Sequence, residues 1–150
     1  MTGPQRLIAD LNLQPLPAEG GMYSQYFADQ FSTAIYFLVQ RHDFSALHRL
    51  TGVETYHFHG GAALRFLLLY PDGHVERPVL GLETTAGERP ALVVPAGVWQ
   101  GSETKGEWSL VGATMAPGFR PEMFELGDRD DLLSRYPQAS VEIERLTRVV

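Results

Sequence analysis

Cysteine is missing altogether from the 150 residues. That removes disulfides, thiolate metal sites and cysteine nucleophiles together. Clustered positive charge is missing as well: 12 Lys and Arg stand against 18 Asp and Glu, a net −6, with no basic stripe anywhere. Nucleic acid is therefore not an expected partner, because affinity for phosphate backbones is built on grouped Lys and Arg. No apolar run approaches the roughly 20 residues that cross a bilayer. The opening stretch MTGPQRLIADLNLQ also lacks the continuous apolar core of a secretory leader. These absences make a cytoplasmic protein with no membrane partner the expectation. No glycine-rich phosphate loop precedes a helix, and no serine sits in a nucleophile-elbow context. The acidic run Asp128 to Asp131 has the wrong spacing for calcium and reads as a helix start.

What remains is an ordinary soluble composition, 44% apolar and 20% charged, in one domain covering residues 1–150. Leu7, Ile8 and Leu11 follow a helical period over residues 4–12, with Pro4 suited to a first turn. From Met22 to about Phe119 the pattern becomes short β-branched and aromatic runs cut by turn signals: STAIYFLV, VETYHFH, ALRFLLLY, HVERPVL, ALVVP and WSLVGATM. Pro71-Asp72-Gly73 marks a turn between two of them. The segment between Val39 and Leu47 has room for one more turn or edge strand. Such spacing argues for an antiparallel sandwich or barrel. After Pro121 the helical period returns, with Asp128 as N-cap of DRDDLLSRY, Pro137 as its end, and SVEIERLTRVV as a last helix.

The stretch that carries chemistry starts at His48-Arg49-Leu50 and runs through Glu54 to Gly61. It resembles the first cupin motif, His-x-His followed by Glu and then Gly, with Leu50 at the second His. Pro95-Ala96-Gly97-Val98-Trp99-Gln100 resembles the second motif, Pro-x-Gly-x-x-His, with Gln100 at the His. The segments LNLQPLPAEGGMYSQYF, TAIYFLVQRHDFSALHRLTGVETYHFH and APGFRPEMFELGDRDDLLSRYPQ extend the likeness to the cupin type-5 family over nearly the whole chain. That family is similar in fold to the RmlC-like sugar epimerases, and its members largely lack an assigned activity.

The resemblance implies an all-β double-stranded β-helix, a jelly-roll barrel with short helices at either end. It also implies a homodimer pairing sheets about a two-fold axis, with Met22 to Phe27 as the candidate edge. It places His48, Glu54 and Tyr56 as catalytic candidates, with Gln100, Phe58, Tyr36 and Trp99 as candidate contacts to a small-molecule ligand. The leading reading is a small polar, sugar-like metabolite bound without cofactor, with His48 removing a proton beside a carbonyl and Glu54 or a tyrosine returning one. Two alternatives stand beside it. One is a single Fe, Mn or Ni held by His48, Glu54 and Gln100; the other is a binding or sensing module without chemistry. Against the metal, leucine cannot ligate and a glutamine amide is a poor imidazole substitute. The bland reading of His48 and Glu54 is a hydrogen-bonded pair that fills the barrel, and that of the aromatic residues is core packing. Strand alternation puts His48, Glu54, Tyr56 and Phe58 inward and His57 and His59 outward, and a bulge near Gly60-Gly61 is the irregularity that would upset this register.

Overall fold

The computed structural model describes residues 3–149. In chain order the elements are α1 (Gly3–Asp10), β1 (Gln14–Pro15), β2 (Met22–Ala28), β3 (Thr33–Gln40), β4 (Ser45–Leu50), β5 (Glu54–Gly61), β6 (Leu64–Leu69), β7 (Val75–Glu76), β8 (Val79–Leu80), β9 (Ala91–Val94), β10 (Trp99–Thr104), β11 (Trp108–Met115), β12 (Phe124–Leu126), α2 (Arg129–Arg135) and α3 (Ser140–Arg145).

The strands form two antiparallel sheets. The first runs β1-β2-β3-β11-β5-β9 and the second β12-β4-β10-β6-β7, with β8 also on β6. The non-consecutive neighbours are those of a jelly roll, which curls two sheets face to face around one interior. Phe37, Val39, Tyr56, Phe66, Leu68, Val94 and Val111 fill that interior. Their spacing of two within each strand is what turns one face of every strand inward.

The outer faces are capped by helices. Leu7, Ile8 and Leu11 lie with Leu38, Tyr36 and Trp108 outside the first sheet. On the second sheet Leu132, Tyr136, Ile143 and Leu146 bury Leu47, Leu67, Leu69 and Trp99. Asp128 caps α2 as its spacing implies, accepting from the Asp131 amide at 3.0 Å. Among the described residues, no helix is long and apolar enough to cross a membrane.

Three local expectations change. The segment after Val39 holds a full strand, β4, that carries His48. HVERPVL divides into β7 and β8 around Arg77 and Pro78, since proline cannot donate to the ladder. The last helix stops at Arg145. Beyond it the Leu146 carbonyl accepts from Leu47 N at 2.8 Å, and Arg129 takes the carbonyls of Glu144 and Thr147. These bonds draw the tail along β4 in place of another helical turn.

The β5–β11 register slips between the Phe58 and Gly60 pairs, so His59 is the extra residue, one place before the glycines. His57 bonds Thr114 Oγ1 at 3.1 Å, and the His59 ring lies edge-on to Tyr36 outside the first sheet. Neither histidine lines the cavity inside the barrel.

Candidate functional site

Between the sheets lies a cavity of about 270 Å³. The turn after β1 contributes Leu16, Pro17 and Glu19, while β2 and β3 bring Tyr23, Gln25, Thr33, Ile35 and Phe37. His48 and Leu50 come from β4, Glu54 and Tyr56 from β5, and Ala113 and Met115 from β11. Phe119, Pro121 and Phe124 complete the lining. The segment bearing Phe119 is tied down where its amide donates to Thr33 Oγ1 at 2.9 Å. Carbon dominates these walls, and the ionisable groups are confined to Glu19, His48, Glu54 and the tyrosines.

His48 is buried and its ring is fixed from two sides. Nδ1 lies 2.8 Å from the Ala46 carbonyl, so Nδ1 carries the proton and donates it. Phe124 stacks on the ring at 5.2 Å between centroids. Nε2 is then the free nitrogen, 3.8 Å from Glu19 Oε1. Glu19 is itself buried, and Ser45 Oγ donates to its Oε2 at 2.7 Å.

Across from His48, Glu54, Tyr56 and Gln100 form a closed triangle. The Tyr56 hydroxyl lies 2.6 Å from Gln100 Oε1 and 2.9 Å from Glu54 Oε1, and Gln100 Nε2 donates to that same Oε1 at 3.0 Å. The single Tyr56 hydrogen is shared between the two oxygens and the Gln100 amide gives another to Glu54, so every contact that reaches Glu54 ends on Oε1 and leaves Oε2 outside the triangle. Burial pushes the Glu54 carboxyl above its ordinary range and so favours its protonated form, opposed by His48 and the two hydrogen bonds and reinforced by the charge of Glu19. Burial also lifts the Tyr56 phenol well above its ordinary range, with Glu54 and Glu19 adding to it, so Tyr56 stays protonated.

Four residues singled out from the sequence thus meet: His48, Glu54, Tyr56 and Gln100. Three others do not join them. Tyr36 faces out of the barrel, packed on Tyr26 at 4.6 Å under the N-terminal helix, because alternation along β3 gives the interior to Ile35 and Phe37. Trp99 faces the C-terminal helices, with the Arg49 guanidinium 4.5 Å above its ring, because its neighbour Gln100 takes the inward position. Phe58 packs against the barrel core without lining the cavity.

Glu19 escaped the sequence reading. It sits in PLPAEGG, which reads only as a turn, and nothing local links it to a histidine on another element. Phe119 and Phe124 escaped too, because the long connection that carries them has no regular period.

The residues present do not suit the metal that the fold brings to mind. Leu50 offers no donor and packs on Met115 and Met123. The Gln100 amide is engaged by Tyr56 and Glu54. Among the described residues, no group of three or more His, Cys, Asp or Glu is placed to hold an ion.

Comparison with known proteins agrees with this architecture. A crystal structure of a protein from Shewanella oneidensis superposes with a TM-score of 0.93 at 34% identity, covering 100% of both chains. A hypothetical protein from Leishmania major gives 0.91 at 27% identity, covering 99% of this chain and 100% of that one. A cupin 2 conserved barrel domain protein from Rhodopseudomonas palustris shares the fold alone: TM-score 0.64 at 16% identity, over 91% of this chain and 90% of its own. No curated protein matches. The sequence model of the family described as Cupin superfamily (DUF985) matches residues 5–127. With that match over most of its length, and with both half-motifs placed in the barrel, the chain belongs to this cupin family.

Proposed function

We propose that this cupin binds a small organic molecule in its barrel and moves a proton on it without a metal ion, as an isomerase or epimerase does. One observation carries the reading. A fixed imidazole with a free Nε2 and a carboxyl whose hold on its proton is strengthened by burial share one polar region of an otherwise apolar cavity. A base and an acid facing one largely apolar cavity are the elements of proton transfer beside a carbonyl.

The steps balance without any other reactant. His48 Nε2 takes the proton from a carbon next to the carbonyl while Glu54 gives its own to the carbonyl oxygen, forming an enol. The reverse transfers place the proton on the other face of the same carbon, and Glu54 takes back the proton of the enol hydroxyl. Glu19, 3.8 Å from Nε2, faces the imidazolium formed midway. Tyr56 and Gln100 hold Glu54 in place.

The test is hydrogen exchange into small ketones and aldehydes in D2O. Exchange at the carbon beside the carbonyl should occur with the native protein and be lost in His48→Gln and Glu54→Ala variants that remain folded. A compound that binds in the cavity yet never exchanges its hydrogens would leave a binding module in place of an enzyme.

A further inference from the structure

The charge and wall chemistry of the cavity narrow the class of molecule it can take. Two acidic residues, Glu19 and Glu54, line it, and not one lysine or arginine does. Arg148, which touches the Glu19 turn, is no exception, for its guanidinium is engaged by the carbonyls of Ala18, Glu19 and Phe44 and by Asp43. An anion entering here would shed its water, find no cation, and face Glu19. A cation gains little either. One Glu19 oxygen is held by the Ser45 hydroxyl, and the other lies 3.8 Å from His48 Nε2, so a cation seated there would have to shed its water and wedge against the imidazole.

A sugar-like ligand, which the resemblance to the epimerases suggests, meets the opposite difficulty. Its hydroxyls ring the whole molecule, whereas Ile35, Leu50, Ala113, Met115, Phe119 and Phe124 present carbon over much of the wall. Hydroxyls buried against carbon lose their hydrogen bonds to water and gain none in return. The polar contacts His48 and Glu54 supply suit one oxygen-bearing end, with a compact hydrocarbon body filling the remainder of about 270 Å³.

We infer that the pocket selects an uncharged carbonyl compound with a compact apolar body, such as a cyclic ketone. The carbonyl end lies toward Glu54 and His48, and carboxylates and polyhydroxylated sugars are rejected. This inference rests on the reading of the cavity as the site of proton transfer, but it is tested by binding alone.

The experiment uses the whole chain, isotope-labelled, with four probes: cyclohexanone, cyclohexanecarboxylate, cyclohexylammonium and glucose. Binding is followed by NMR at the His48 ring and at the amides of Leu50, Met115 and Phe119. Cyclohexanone should shift these signals saturably, with the carboxylate and the ammonium each at least about tenfold weaker, a difference of about 1.4 kcal/mol. Glucose should leave them unmoved. The inference is overturned if the carboxylate, the ammonium or glucose binds as tightly as the ketone. If no probe perturbs any lining residue, the pocket reading fails with it, so the two failures are separable. Gln25→Lys adds a further arm at an exposed residue of the lining. The new ammonium should narrow the gap between carboxylate and ketone by several-fold, and a gap left unchanged counts against the charge argument.

Discussion

Glu19 and His48 face each other at 3.8 Å, the first carried by a turn outside the sheets and the second by a strand inside the barrel. The turn is an unusual one. Ala18, Gly20 and Gly21 all have positive φ, at 66°, 99° and 76°, a region in which a non-glycine residue is strained. Something outside the turn must hold it. Ala46 N donates to the Glu19 carbonyl at 2.7 Å, Asp43 accepts from Gly21 N at 2.8 Å, and Arg148 binds the carbonyls of Ala18 and Glu19.

Removing that last support should therefore loosen the Glu19 turn. Arg148→Ala is expected to lower stability by about 1–2 kcal/mol, the worth of a few charge-assisted hydrogen bonds partly open to water. It should also speed amide exchange at Gly20 and Gly21 and shift the His48 ring signals. Arg145→Ala, which breaks only a surface contact to Glu103, should do none of these. Equal effects from the two substitutions would deny Arg148 any special hold on the turn.

The raised proton affinity of Glu54 makes a prediction about pH. Its folded-state value lies above its ordinary 4.5, so the native protein keeps this proton longer than the unfolded chain does. That contribution to stability is complete below about pH 4.5 and is lost as pH rises through the raised value. Glu54→Gln, neutral at every pH, should remove it. Denaturant melts of the two proteins at stepped pH should therefore diverge upward through that window, with the wild type losing ground. Parallel curves would mean that Glu54 ionises as freely as in the unfolded chain.

Metal content offers a separate check. With Leu50 and Gln100 where the resemblance implies histidines, purified protein should carry far less than one equivalent of Fe, Mn or Ni by elemental analysis. A full equivalent that disappears in His48→Ala would overturn the metal-free reading.

Association is expected at β2. Its first residues pair with β1 only at Tyr23 and Met22, which leaves the strand edge beyond them open among the described residues. Tyr26 and Phe27 on that edge are 54% and 48% exposed, and Phe31 just after it is 68% exposed. An open apolar edge is commonly covered by a partner, and two copies meeting about a two-fold axis would use the same patch twice. Light scattering at low micromolar concentration should give about twice the 16.7 kDa chain mass. Phe27→Lys should return it to one. A wild-type mass of one chain would leave those aromatics to intramolecular packing.

Much of this protein was legible before folding. The jelly-roll class followed from short alternating runs and turn signals, and both half-motifs named His48, Glu54 and Gln100 because strand periodicity and motif spacing are local properties. Alternation also set Tyr56 beside Glu54 and turned His57 and His59 outward. Only the tertiary structure could decide the rest. Whether Tyr36 and Trp99 face the cavity depends on which side of each strand a covering helix takes, and no local pattern states that. Glu19 reaches His48 because a strained turn is pinned by a strand, a loop and the C-terminal tail, contacts made between distant stretches of chain. The hold on Glu54 Oε1 is likewise a property of three side chains from two sheets, since a hydrogen-bond triangle exists only once they are brought together.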